Sequence, residues 1–153
     1  MGQGTVVNQD YAWRYFEIHS SQRMTLFNYF LIISGVISSG IAAAIQGAQG
    51  IAFLGGALGA LLSLFSFVFW KLDQRTATLV KLAETVLTSA EEGMEEEFRI
   101  FTENNVGLRS KIFDFGPQWT YGKSFRFTFV VMGLVGVVSA VISLLKATGV
   151  LTW

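Results

Sequence analysis

An all-α membrane protein with three transmembrane helices is the fold class this sequence predicts, on three observations. No charged residue occurs in the 47 positions from Met24 to Trp70, and none from Phe127 to Leu145. Only 14% of the 153 residues are charged and 52% are hydrophobic, whereas soluble domains carry about a quarter charged residues. The longer run is interrupted once, by Gln46-Gly47-Ala48-Gln49-Gly50. A helix needs about 20 apolar residues to cross a bilayer, so the longer run holds two spans and the shorter run one. The Gly- and Gln-rich break reads as a tight turn between the first two. The spans are expected at about 24–45, 51–70 and 127–147, in a single membrane domain covering 1–153.

The same composition excludes most chemistry. Eleven basic residues balance eleven acidic ones, so no basic excess points to nucleic acid. The chain has no cysteine, which removes disulfides, thiolate metal sites and Cys nucleophiles together. A single histidine leaves nothing for a His-based metal centre. No paired carboxylates, nucleophile–base set or phosphate loop is present, so an enzyme is not expected, and neither is a cofactor or metal. Asp114-Phe115-Gly116 spells a kinase signature, but no Gly-rich loop, strand Lys or catalytic loop accompanies it. It is a coincidence.

Each element follows from local pattern. In residues 10–23 Tyr11, Tyr15 and Ile18 share a face, and Trp13, Tyr15 and Phe16 suit a headgroup region; the segment reads as an interfacial amphipathic helix that turns into the first span. His19 stands alone there and reads as a structural histidine. The first residues have neither a basic start nor an apolar core, so no cleavable signal is expected, and Val6 breaks the myristoylation pattern begun by Gly2. Residues 71–126 are the polar segment. Leu72, Thr76, Leu79, Ala83, Val86 and Ala90 recur at spacings of four and three, a seam for a packing helix that continues out of the second span. Glu91, Glu92, Glu95, Glu96 and Glu97 lack a calcium-loop pattern and read as a solvated face. Phe113 to Tyr121, with the only proline, reads as an interfacial turn before the third span.

Orientation follows from Lys and Arg at the span ends. Residues 71–126 carry eight of them, the turn at 46–50 none, and the stretch after the third span only Lys146. The N-terminus and 71–126 are therefore expected in the cytoplasm, with the turn and the C-terminus outside. No charged residue lies in the runs Met24–Trp70 and Phe127–Leu145, which speaks against a proton-coupled transporter.

Small and polar residues form stripes in all three spans. The first has Asn28, Gly35, Ser39, Ala42 and Gln46; the second Ala52, Gly56, Gly59, Ser63 and Ser66, with Gly55–Gly59 as a GxxxG pair; the third Gly133, Gly136, Ala140, Ser143 and Ala147. At about 100° per residue each set keeps to one face. Helices in lipid associate through close backbone approach and hydroxyl hydrogen bonds. Gly35, Ser39, Gly55, Gly56, Gly59, Ser63, Gly133, Gly136 and Ala140 are accordingly the candidate residues for helix packing, within the hairpin or between subunits. The alternative is a pore in an oligomer, lined by Asn28, Ser34, Ser38 and Gln46, although no charged ring or filter sequence marks one. Asp73 and Arg75, just past the second span, are candidates for inter-subunit polar contacts.

The segment Arg14 to Phe30, with Trp70-Lys71-Leu72-Asp73-Gln74-Arg75 and Leu79-Val80-Lys81-Leu82-Ala83-Glu84, resembles RipA-like bacterial membrane proteins over residues 13–90. That resemblance implies a small inner-membrane protein assembling as a homo-octamer with no assigned enzyme activity, its partners being its own copies and lipid. The layout is also similar to the SLATT class of two-helix membrane modules, proposed effectors in bacterial conflict systems, from which the third helix departs. Two functions follow. The first is a self-assembling scaffold of the inner membrane, and the second a pore-forming or membrane-disrupting effector controlled by its cytoplasmic region.

Overall fold

The computed structural model describes residues 3–91, 99 and 121–151, with side chains from residue 9 onward. Three helices account for nearly all of them: α1 (Gln3–Gln46), α2 (Gln49–Glu91) and α3 (Tyr121–Ala147). Each contains a stretch long and apolar enough to cross a membrane. The fold is all-α.

The turn between α1 and α2 falls within a residue of where the Gly- and Gln-rich break puts it. Gly47 N–H closes the last turn of α1 by donating to Ala43 O (3.0 Å), and Ile51 N–H donates to Ala48 O (2.9 Å) to start α2. The expected turn from an interfacial helix into the first span is absent. α1 is one continuous helix through residues 10–23 and 24–45, since neither Gly nor Pro occurs from Thr5 to Ser34 to interrupt its backbone bonds. α2 likewise runs past Trp70 without a break, with no Gly or Pro from Ala60 to Glu92. The acidic cluster beyond Glu91 and the aromatic stretch before Tyr121 lie outside the described residues; Glu91 itself is buried.

α3 ends in a Schellman cap. Gly149 takes a left-handed φ of 76°, its N–H donates to Lys146 O (3.1 Å), and Val150 N–H donates to Leu145 O (3.0 Å). Only glycine adopts that φ without strain, so Gly149 fixes where the third span stops.

The chain divides into two compact units. One comprises Met1–Met24 and Gln74–Trp119, the other Thr25–Asp73 and Thr120–Trp153.

In the first unit the inward face of α2 carries Thr76, Ala77, Val80, Ala83 and Leu87, and that of α1 carries Ala12. The heptad seam read from sequence is therefore turned. Thr76 and Ala83 are inside, but Leu72, at the edge of the other unit, and Val86 are exposed. Leu82 and Val86 border an apolar groove with Tyr11, Ala12 and Tyr15 of about 430 Å³. His19 lies edge-on to Tyr15 (4.2 Å between ring centres), and its Nδ1 donates to Gln22 Oε1 (3.0 Å).

The second unit holds the apolar lengths of all three helices. Phe30, Phe125 and Phe129 form one buried cluster, with Phe27, Phe69, Trp70 and Met132 packed against it. Phe27 stacks on Phe125 at 3.9 Å, and Phe30 meets Phe129 edge-to-face at 4.7 Å. Ile37, Ile41 and Leu62 form a second cluster, backed by Ile33, Ile45, Leu58 and Phe65. Outside these lies a belt of exposed apolar side chains, among them Ile32, Val36, Phe53, Leu64, Leu134 and Val138. Contiguous apolar surface on this scale marks a face that meets membrane or another protein.

Candidate functional site

The closest backbone approach in the second unit is between α2 and α3, and glycine makes it. A Cβ on Gly59 would stand 2.6 Å from Gly136 O and 2.7 Å from Ala140 N. One on Gly136 would stand 2.5 Å from Ser63 Oγ and 2.7 Å from Gly59 O. Gly55 faces Ser143 and Ala44 just as tightly, while Gly56 lies 3.5 Å from the Leu144 side chain. Ser63 Oγ donates to Gly59 O on its own helix (3.2 Å) and to Gly133 O across the gap (3.0 Å). Bonds of this kind contribute about 0.6 kcal/mol each in membrane proteins, so dispersion along the seam carries most of the packing. The small residues of the second and third stripes thus meet within one chain.

The first stripe does not join them. Asn28, Gly35, Ser39, Ala42 and Gln46 are all exposed, and nothing lies within 4 Å of a Cβ placed on Gly35. Ser39 Oγ turns back to Gly35 O (2.9 Å). The face α1 presents inward is instead Phe30, Ser34, Ile37, Ile41 and Ala44.

The four candidate pore-lining residues consequently separate. Asn28 and Gln46 are exposed, whereas Ser34 is 1% exposed and Ser38 half-buried with its Oγ enclosed. At about 100° per residue, Ser38 and Ser34 lie roughly a quarter and a third of a turn away from the other two. Within one copy the four do not share a face. Asp73 and Arg75 diverge in the same way. Asp73 is 4% exposed, while Arg75 stays exposed.

Lys146 has a role that sequence reasoning missed. It is 5% exposed, and its Nζ donates to Ile45 O (2.6 Å) and Gly47 O (3.1 Å). Those carbonyls belong to the C-terminal end of α1 and the turn after it, where backbone acceptors have no helical partner and the helix dipole favours a cation. Lys146 therefore ties the end of α3 to the end of α1. The signal was available, since a lone Lys closes an uncharged span on the side where the first span also ends.

No grouping of three or more His, Asp or Glu suited to a metal occurs among the described residues. The geometry offers a packed three-helix unit with one uncovered polar stripe on α1. Comparison with known proteins places it. CD-NTase-associated protein 19 of Escherichia coli is 38% identical over 135 residues, which cover 86% of this chain and 87% of that protein.

The chain belongs to the CD-NTase-associated protein 19 family.

No family model matches the chain, and no solved structure matches it. Membership of the CD-NTase-associated protein 19 family replaces the resemblance to RipA-like proteins drawn from residues 14–30 and 70–84.

Proposed function

We propose that this chain is a non-catalytic membrane effector of a CD-NTase-linked anti-phage defence system, acting by self-assembly in the bacterial inner membrane. The relation to CD-NTase-associated protein 19 carries the proposal and favours an effector over a scaffold. The octamer rested on the RipA-like resemblance alone and is not carried forward. The uncovered stripe on α1 supports self-association. Asn28 and Gln46 face outward on the same side as Ser39, and in lipid such amide groups are satisfied by another helix or by water. The apolar groove of the first unit, bordered by Tyr11, Tyr15, Leu82 and Val86, is the place on the cytoplasmic side where control would enter.

In cells carrying an active CD-NTase, expression of this chain should collapse the membrane potential, measured with a potential-sensitive dye. Replacing Asn28 and Ser39 by Leu should abolish the collapse while the protein still accumulates in the membrane. Growth arrest with the potential intact would overturn the proposal.

In the proposed topology the N-terminus and residues 71–126 face the cytoplasm, and residues 46–50 and Trp153 face outside. The chain lacks cysteine, so single cysteines at Gln49 and Glu95 report without background. They should react with an impermeant maleimide from opposite sides. Labelling of both from one side would refute the arrangement.

A further inference from the structure

A groove runs along the outer face of α2 and α3, about 260 Å³ in volume, between Ser66, Phe67 and Trp70 on one helix and Phe129, Gly133 and Val137 on the other. Its polar atoms are turned out of it. Ser66 Oγ donates to Leu62 O (2.9 Å) and Ser63 Oγ to the carbonyls of Gly59 and Gly133. What remains is a hydrocarbon slot, opened by the missing side chain at Gly133. It is smaller than the roughly 300–1,000 Å³ that whole small-molecule ligands occupy, and it opens on the belt that lipid covers. A single acyl chain fits that description.

Charge at one end says which lipid. Ser66 lies opposite Gly133 and Trp70 near Phe129, so the two helices run antiparallel. That register brings Lys71, one turn past Phe67, to within about a turn of the level of Arg126, which shares a face with Val130, Gly133 and Val137. Lys71 Nζ stands 5.3 Å from the Trp70 ring centre and 5.7 Å from that of Phe67, over the side chains that close the slot. Among the described residues neither Lys71 nor Arg126 has an acidic partner, and both are exposed. Two cations beside a hydrocarbon slot at the end of a span are complementary to a phosphate carrying an acyl chain.

We propose that this groove binds one anionic phospholipid, with an acyl chain along Gly133 and the phosphate between Lys71 and Arg126. The full-length protein in mild detergent, given phosphatidylglycerol and phosphatidylcholine of identical chains, should retain phosphatidylglycerol preferentially in native mass spectra. Lys71→Gln with Arg126→Gln should reduce that preference by about fivefold for each cation removed. Gly133→Leu should lose both lipids, since its Cβ meets Ser66 Cβ at an ordinary 3.4 Å and its side chain fills the slot. Equal retention of the two lipids by the parent, or an undiminished preference in the double variant, overturns the proposal. So does a Gly133→Leu protein that changes subunit number without changing lipid retention, which would make the slot a seat for a second copy. The double variant alters only exposed side chains and decides the matter should Gly133→Leu fail to fold.

Discussion

Gly59→Leu is expected to prevent α3 from docking on α2 while leaving membrane insertion intact. Even a methyl group on Gly59 would lie 2.6–3.0 Å from the backbone of Gly136 and Ala140, and backbone cannot rotate out of the way. The two helices would have to part by roughly 1 Å to restore carbon contact distances of about 3.5–4.0 Å. A gap of that size forfeits a quarter to a half of each dispersion contact along the seam, and it stretches the bond from Ser63 Oγ to Gly133 O. Gly59→Ala should therefore cost about 1–3 kcal/mol, the usual range for an overfilled core, and Gly59→Leu more than that. Insertion should be unaffected, because the substitution adds hydrophobicity. Thermal unfolding in detergent, read by intrinsic tryptophan fluorescence, measures the loss. Gly35→Leu, with open space around it, and Leu61→Ala, at an exposed position, should leave the midpoint nearly unchanged. A Gly59→Leu protein that unfolds at the parent's temperature would contradict the packing described.

Lys146→Met should produce the second large effect. The Met side chain matches the aliphatic stem of Lys but donates nothing, so Ile45 O and Gly47 O lose their hydrogen bonds. An unsatisfied buried acceptor costs about 1–3 kcal/mol, and loss of a cation at a helix C-terminus adds about 0.3–1 kcal/mol. The expected destabilisation is thus about 1–4 kcal/mol. Hydrogen exchange should accelerate at amides near residues 43–47, where α1 loses its tie to α3. Neutralising Arg75, which is exposed, is the matching control and should do little. Equal protection at residues 43–47 in Lys146→Met and the parent would show that water serves those carbonyls as well as the lysine does.

The three spans were legible because lipid imposes a length. An uncharged run of 47 residues can be two spans but not one, and the break at 46–50 had no competitor. Which face of a span meets protein was less legible, because hydropathy does not distinguish lipid from a neighbouring helix. α2 and α3 turn their small residues toward each other, yet α1 turns Phe30, Ile37 and Ile41 inward and leaves Gly35 and Ser39 outside. The helical segment after Trp70 misled for a related reason. Spacing alone puts Leu72 and Val86 in the seam with Thr76 and Ala83, whereas the packed face is Thr76, Ala77, Val80, Ala83 and Leu87, with Leu72 and Val86 outside. The Lys146 tie was hidden by counting basic residues only for orientation. A charge that sets topology also has three donors to satisfy.

The cap that Lys146 provides also bears on how the protein is made. Chains emerge from the ribosome N-terminus first, so α1 and α2 reach the membrane before α3 has been synthesised. Until then the glycine face of α2 has no helix against it, and the carbonyls of Ile45 and Gly47 have no lysine. The hairpin is an open intermediate until the third helix covers that face. Arrival of α3 closes both together, covering the glycine face and bringing Lys146 to those carbonyls in one step.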